Sequence, residues 1–246
     1  VIAAKIKINV IGNFRLTDMK VGGEGAPLTP YFHDYISTFH KSFINIINLG
    51  GFANLTYKSD NKTNAFDTGP ANYLIDIISD KYFGLPFDKN GILAKKHKAN
   101  EKALLGMLSH KYFNCPIPKS TGFETFNFKW VNKFIKKYNI RNKNTLISTI
   151  TQLTIITISD AINSSNLDSP DIFFSGGGSR NTFIKNSILK RTGLNEIKSL
   201  PFNINYKNLE SASFAWLAMK RYNGEMIKKN YITGAKRSRK LGIIYR

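Results

Sequence analysis

Acidic residues are scarce in this 246-residue chain: 16 Asp and Glu stand against 36 Lys and Arg, a formal net charge of +20. Cysteine is scarcer still, with Cys115 the single copy. An internal disulfide framework is therefore excluded, and a reduced cytoplasm is the expected setting. His33, His40, His97 and His110 are too scattered to suggest a zinc site, and Cys115 makes no recognisable nucleophile pair with any of them. Metal ligation by the protein itself is not expected. Long uninterrupted apolar runs are also missing. Leu146 to Ile162, the most apolar stretch, is broken by Ser148, Thr149, Gln152 and Asp160, so it reads as a buried helix and no membrane partner is expected. Val1-Ile2-Ala3-Ala4 before Lys5 has neither the basic start nor the long apolar centre of a signal peptide. That the first residue is not Met points to a missing beginning.

What is present is an ordinary globular composition, 42% hydrophobic and 13% aromatic, at a length that allows one large domain or one and a half smaller ones. The basic balance first suggests nucleic acid. The lysines are dispersed among Asn and Ile, however, and no aromatic-basic motif accompanies them. The densest run, Lys236-Arg237-Ser238-Arg239-Lys240, is either a phosphate-binding strip or, as charge runs usually are, a solvated face. A nucleic-acid-binding module is thus the weakest of the readings carried here.

Strand and helix signals alternate along the chain. Lys5 to Phe14 alternates as a strand does, and Gly22 to Pro27 then breaks the pattern as a hinge would before a helix opens near Tyr31. Phe43 to Leu49 and Phe52 to Tyr57 are apolar runs split by Gly50-Gly51, a hairpin signature. A short strand is expected to end at Phe66-Asp67, with Thr68 and Pro70 starting a helix through Ile77. Phe128, Val131, Phe134, Ile135 and Tyr138 fall on one helical face beside lysines, a core stripe. Asp171 to Ser175 reads as a buried strand, followed by Gly176-Gly177-Gly178 and a helix from Asn181 with Phe183, Ile184, Ile188 and Leu189 inward. Leu209 to Tyr222 is the last long helix.

Two places in this pattern carry chemistry. A strand, triple glycine and helix let backbone N–H groups approach a nucleotide, although the same glycines also suit an ordinary turn. The loop has neither the Lys-Ser/Thr ending of a P-loop nor the spacing of a dinucleotide fingerprint. Asp67, at a strand end before Gly69, is placed to act as a general base toward a hydroxyl or water, or simply to cap the helix that follows. Asp18, Glu24 and Glu210 are the other acids of interest.

Ordered blocks of sequence then resemble one family. Asn13-Phe14-Arg15 with Asp18, Gly22 to Leu28, Pro30 and His33 resemble its D-F-R…D…GG[QE]GAPL-x-P…H passage. Asn48 to Asn54 resembles its N-[IL]-G-G-[IF]-[AS]-N hairpin, and Phe66 to Asn72 its F-D-[TC]-G-P-G-N segment. Lys119 to Gly122 with Glu124, Phe126 and Asn127, Gly176 to Asn181, Glu210 with Phe214 to Ala218, and Thr233-Gly234-Ala235 continue in order. The family is that of the anhydro-N-acetylmuramic acid kinases. The resemblance implies an α/β, two-lobed, actin-like ATPase (ribonuclease H-like) fold with the first lobe incomplete: residues 1–30 as a remnant of that lobe and the hinge, and 31–246 as the second lobe. It implies ATP and Mg2+ as cofactors and an amino sugar as substrate. Asp67 would activate water. Gly50, Gly51, Asn54, Gly176, Gly177 and Gly178 would face the nucleotide, and Arg15, Asp18 and Glu210 the sugar.

The family's N-terminal M-S-G-T-S-x-D-G phosphate loop has no counterpart here, and Asn13, Ala71 and Phe123 stand where the pattern has an acid, a glycine and an arginine. The chain as given is therefore expected to need a missing N-terminal lobe, or a homodimeric partner, before it runs the reaction. A kinase-like protein that binds without turnover is the second reading.

Overall fold

The computed structural model describes residues 1–228 and 232–246. From the N-terminus, α1 (Ile2–Ile6), β1 (Val10–Gly12) and α2 (Phe14–Met19) lead into α3 (Pro30–Ser37). A meander follows of β2 (Asn45–Leu49), β3 (Phe52–Ser59) and β4 (Lys62–Pro70), then α4 (Asn72–Phe83), α5 (Glu101–Leu108), α6 (Phe128–Lys137) and α7 (Lys143–Asn163). The chain closes with β5 (Asp171–Ser175), α8 (Thr182–Thr192), β6 (Asn195–Glu196), α9 (Leu209–Tyr222) and β7 (Ile243–Tyr245).

The main sheet has the order β4-β3-β2-β5-β6, antiparallel through the meander and parallel from β2 onward. Its strands alternate side chains between two buried faces, as the two-residue period of a strand requires. Ile47, Ile172 and Phe174 enter the larger core with α4 to α8, whereas Ile46 and Phe173 pack on the other side against Phe32 and Ile36 of α3 and Leu209 of α9. Helix α7 is long and apolar enough to cross a membrane by length and composition, yet 72% of that stretch is buried inside the protein. It is the central core helix. Its hydroxyls turn back to backbone carbonyls, Thr149 to Thr145 and Ser159 to Ile155, both at 2.7 Å.

The hairpin at Gly50-Gly51, the Asp171–Ser175 strand and the Leu209–Tyr222 helix form as the pattern predicts. The start of the chain does not. Lys5 to Phe14 carries only a three-residue strand, Val10–Gly12, between two helices, because Lys7 and Asn13 take left-handed backbone conformations (φ 52° and 53°) that end each element. That strand pairs with β7, Ile11 opposite Ile244, so the two chain ends share a two-stranded sheet. Leu28, Tyr31, Leu217, Ile227, Ile232 and Leu241 belong to a small apolar cluster of their own. Within the basic run, Arg239 is buried rather than solvated, while Lys236, Arg237 and Lys240 are exposed.

Strand β4 also overruns its expected end. It continues through Asp67 to Pro70, and α4 starts at Asn72 with Ala71 before it and no side chain capping it. Sheet pairing outcompetes the cap: Thr68 Oγ1 bonds the Ala53 carbonyl across the strand, and the amides of Ala71 and Asn72 bond the carbonyls of Gly51 and Gly50.

Candidate functional site

Asp67 sits within β4, opposite Asn54 of β3 and next to an irregularity in the ladder at Ala53/Asn54. The segment Lys119 to Thr121 runs beside it. The Asp67 amide donates to the Lys119 carbonyl (3.0 Å), and the Tyr112 hydroxyl donates to the Asp67 carbonyl (2.6 Å). Its carboxylate is held through one oxygen: Oδ2 accepts from Ser120 Oγ at 2.9 Å and from the Thr121 amide at 3.0 Å. Among the described residues Oδ1 has no donor. Burial pushes the carboxyl above its usual value, and the bonds from Thr121 and Ser120 pull partly against that. Since Asp67 caps no helix, the capping alternative falls away. A carboxylate oriented through one oxygen and raised in basicity is suited to take a proton through the other. Lys119 is fixed nearby by bonds from Nζ to the carbonyls of Tyr112 (3.1 Å) and Phe113 (2.9 Å), and burial lowers its pKa.

The second half of the site forms where two glycine turns meet. Asn72 Nδ2 donates to the carbonyls of Leu49 and Gly50, both at 2.8 Å, which pins the β2-β3 turn to the start of α4. Gly176 leaves β5 at φ 77°, and a Cβ there would meet the Leu49 carbonyl oxygen at 2.8 Å, so only glycine fits. A 3-10 turn over Gly177–Arg180 follows, and Asn181 caps α8 by accepting from the Ile184 amide. Between these turns, α4 and the Phe87 to Asn90 loop lies a cavity of about 700 Å³, within the range of small-ligand sites.

Gly50, Gly51, Gly177 and Gly178 line this cavity. Gly176 shapes the turn that brings the second pair there. Asn54 lies apart from the lining, beside Asp67 on the ladder. The wall also contains Asn72, Asp76, Asp88, Lys89 and Arg180, which the motifs did not mark as ligand-facing. The available signal was the four-residue spacing of Asn72 and Asp76, which puts both on one face of a helix leaving the glycine turn.

The three residues expected at the sugar do not assemble on this cavity. Asp18 is fully buried and pairs with Arg239; its Oδ2 accepts from the Gly25 amide (2.9 Å) and its Oδ1 from Thr233 Oγ1 (3.0 Å). Its carboxylate is thus engaged inside the joint between the chain ends. Arg15 and Glu210 are exposed, on α2 and α9, helices that touch through Phe14 and Phe214. Among the described residues no group of three or more His, Cys, Asp or Glu could hold a metal ion.

A mixed sheet flanked by helices, with glycine turns converging at the strand ends, makes this an α/β protein with a small-ligand cavity. The chain belongs to the anhydro-N-acetylmuramic acid kinase family, whose model matches residues 1–246. The anhydro-N-acetylmuramic acid kinase of Haemophilus influenzae is 37% identical over 261 residues, covering 99% of this chain and 67% of the relative. That of Hydrogenovibrio crunogenus is 32% identical over 249 residues, covering 99% and 66%. The chain thus spans about two thirds of the length of these relatives. A solved structure, the activator of the 2-hydroxyisocaproyl-CoA dehydratase from Clostridium difficile with bound ADPNP, aligns over 83% of this chain and 70% of its own, at 15% identity and a TM-score of 0.44. That likeness is too loose to support an inference.

Proposed function

We propose that this chain is the larger part of an ATP-dependent sugar kinase that converts 1,6-anhydro-N-acetylmuramic acid to N-acetylmuramic acid 6-phosphate in cytoplasmic peptidoglycan recycling. Residues 1–30 continue a first lobe and hinge, and residues 31–246 form the second lobe. The observation that carries the reading is the Asp67 carboxylate, tied through Oδ2 and open at Oδ1, on the strand next to the hairpin whose turn lines the cavity.

In this reading Asp67 Oδ1 takes a proton from the water that opens the anhydro bridge, while Ser120 and Thr121 keep the carboxylate from rotating. The bridge oxygen released by water becomes the 6-oxygen that receives the γ-phosphoryl group. Main-chain N–H groups at the glycine turns position the nucleotide phosphates, and Arg15 and Glu210 remain candidates for the sugar. Mg2+, carried by the phosphates rather than by a protein cluster, would offset their charge.

The test is a coupled ADP-release assay with the anhydro sugar, on the chain alone and mixed with a separately expressed N-terminal lobe from a relative. Sugar-dependent ADP release that appears on mixing is expected. Release that ignores the anhydro sugar would overturn the assignment.

A further inference from the structure

The cavity between the glycine turns has chemically different ends. At one end the wall is main chain, at Gly50, Gly51, Gly177 and Gly178, with no side chain to keep a polyphosphate away. Asn72 is fixed at that end by its two bonds to the Leu49 and Gly50 carbonyls. Asp76 lies four residues further along α4 and lines the same cavity, so it stands about one helical turn, about 6 Å, beyond the phosphate end.

The other charged side chains on the wall are Asp88, Lys89 and Arg180. Asp88 is fully committed, its two oxygens accepting from the amides of Leu93 (2.8 Å) and Ala94 (3.0 Å). Asp76 has no hydrogen bond or ion pair among the described residues, and burial alone moves its carboxyl up to about 6. A carboxylate that is partly desolvated and lacks a donor is destabilising as it stands. A ligand that brings donors relieves that cost.

This position repels phosphate and attracts neutral hydroxyl donors. In a nucleotide the ribose follows the phosphates directly and carries vicinal hydroxyls. We infer that Asp76 accepts hydrogen bonds from the ribose hydroxyls of the bound nucleotide and selects ribonucleotides over 2′,3′-dideoxynucleotides, an assignment that rests on reading the cavity as the ATP site. The base then extends toward the Phe87 to Asn90 loop and Arg180.

Isothermal titration calorimetry of the full chain with ADP and with 2′,3′-dideoxy-ADP tests this. The unmodified chain should prefer ADP by about 10-fold or more, the weight of hydrogen bonds to a charged acceptor. Asp76→Ala should bring the ratio to within about 3-fold by weakening ADP, and Asp76→Asn, which keeps an acceptor, should fall between. An undiminished preference in Asp76→Ala, or equal weakening of both nucleotides, overturns the ribose assignment while leaving the nucleotide site standing. Discrimination that vanishes in EDTA also overturns it, assigning Asp76 to a metal ion. No ADP binding by the folded, unmodified chain overturns the nucleotide reading itself.

Discussion

The sheet region and the joined chain ends are held together by different means. On the larger of the two buried faces of the sheet, the interior is a contiguous apolar cluster that includes the fully buried Ile47, Leu55, Ile75, Ile150 and Leu153. Where residues 10–28 meet 232–245 the apolar cluster is small, and beside it lies the Asp18–Arg239 ion pair. Arg239 Nη2 also donates to the Tyr31 hydroxyl (2.6 Å) and to Thr233 Oγ1 (3.1 Å). Apolar burial is graded, so trimming Ile47 to Val should cost only about 1 kcal/mol. A buried ion pair is close to all-or-none, because removing one partner strands the other charge.

The largest expected effect lies in the sheet region and involves no loss of fold. With a complementing N-terminal lobe supplied, Asp67→Asn should lower turnover by about two to four orders of magnitude, with KM for the sugar little changed. Steady-state kinetics check this, and near-normal turnover would remove Asp67 from the mechanism. In the joint between chain ends, Arg239→Met should cost about 3–5 kcal/mol in urea denaturation, and adding Asp18→Leu should restore part of the loss. A cost of the single change below about 1 kcal/mol would erase the contrast between the two regions.

The glycine turns sharpen the comparison within the sheet. Gly176→Ala should destabilise by about 1–3 kcal/mol from backbone strain alone, with the close approach to Leu49 adding to it. Gly177→Ala meets nothing within 4 Å and should change stability by less than about 0.5 kcal/mol. Equal costs at both positions, measured by thermal or urea unfolding, would show that the turn is not held as described.

The effects of pH are graded and arise at two groups of opposite sign. His33, buried between α3 and the sheet with Nδ1 3.0 Å from Thr56 Oγ1, has its imidazole pushed by burial down to about 3. Unfolding lets it take a proton below pH 6.5, so stability should fall as pH drops from 6.5 toward 3, by about 1.4 kcal/mol per pH unit from this group at most. Asp76 acts in the opposite sense. Its carboxyl, raised to about 6, binds a proton more readily folded than unfolded, so its favourable contribution is lost as pH rises from 3.8 through 6. Asp76→Asn should therefore be more stable at pH 7, by on the order of 1 kcal/mol after allowance for partial exposure, and show no advantage below pH 4. Denaturation midpoints across this range, compared with a His33→Gln variant, separate the two slopes.

Elements whose side chains repeat with the period of their own backbone are legible in the sequence alone. The Gly50-Gly51 hairpin, the β5 strand with its glycines, the amphipathic α6 and the buried α7 all follow from local pattern, and the ordered motifs identify the family. Tertiary structure decided the rest, because competing local signals were settled by distant partners. Thr68 and Pro70 carry a helix-start signature, but pairing with Ala53 and the hairpin turn keeps them in a strand. Arg239 sits in a run that looks solvated, and Asp18 beside glycines that look ligand-facing. They become a buried pair only because β1 and β7, more than 230 residues apart in the chain, form one ladder. The cavity is likewise absent from any single segment: Gly50, Asp76 and Gly178 face one another because Asn72 ties the hairpin to α4 and Gly176 turns β5 toward both.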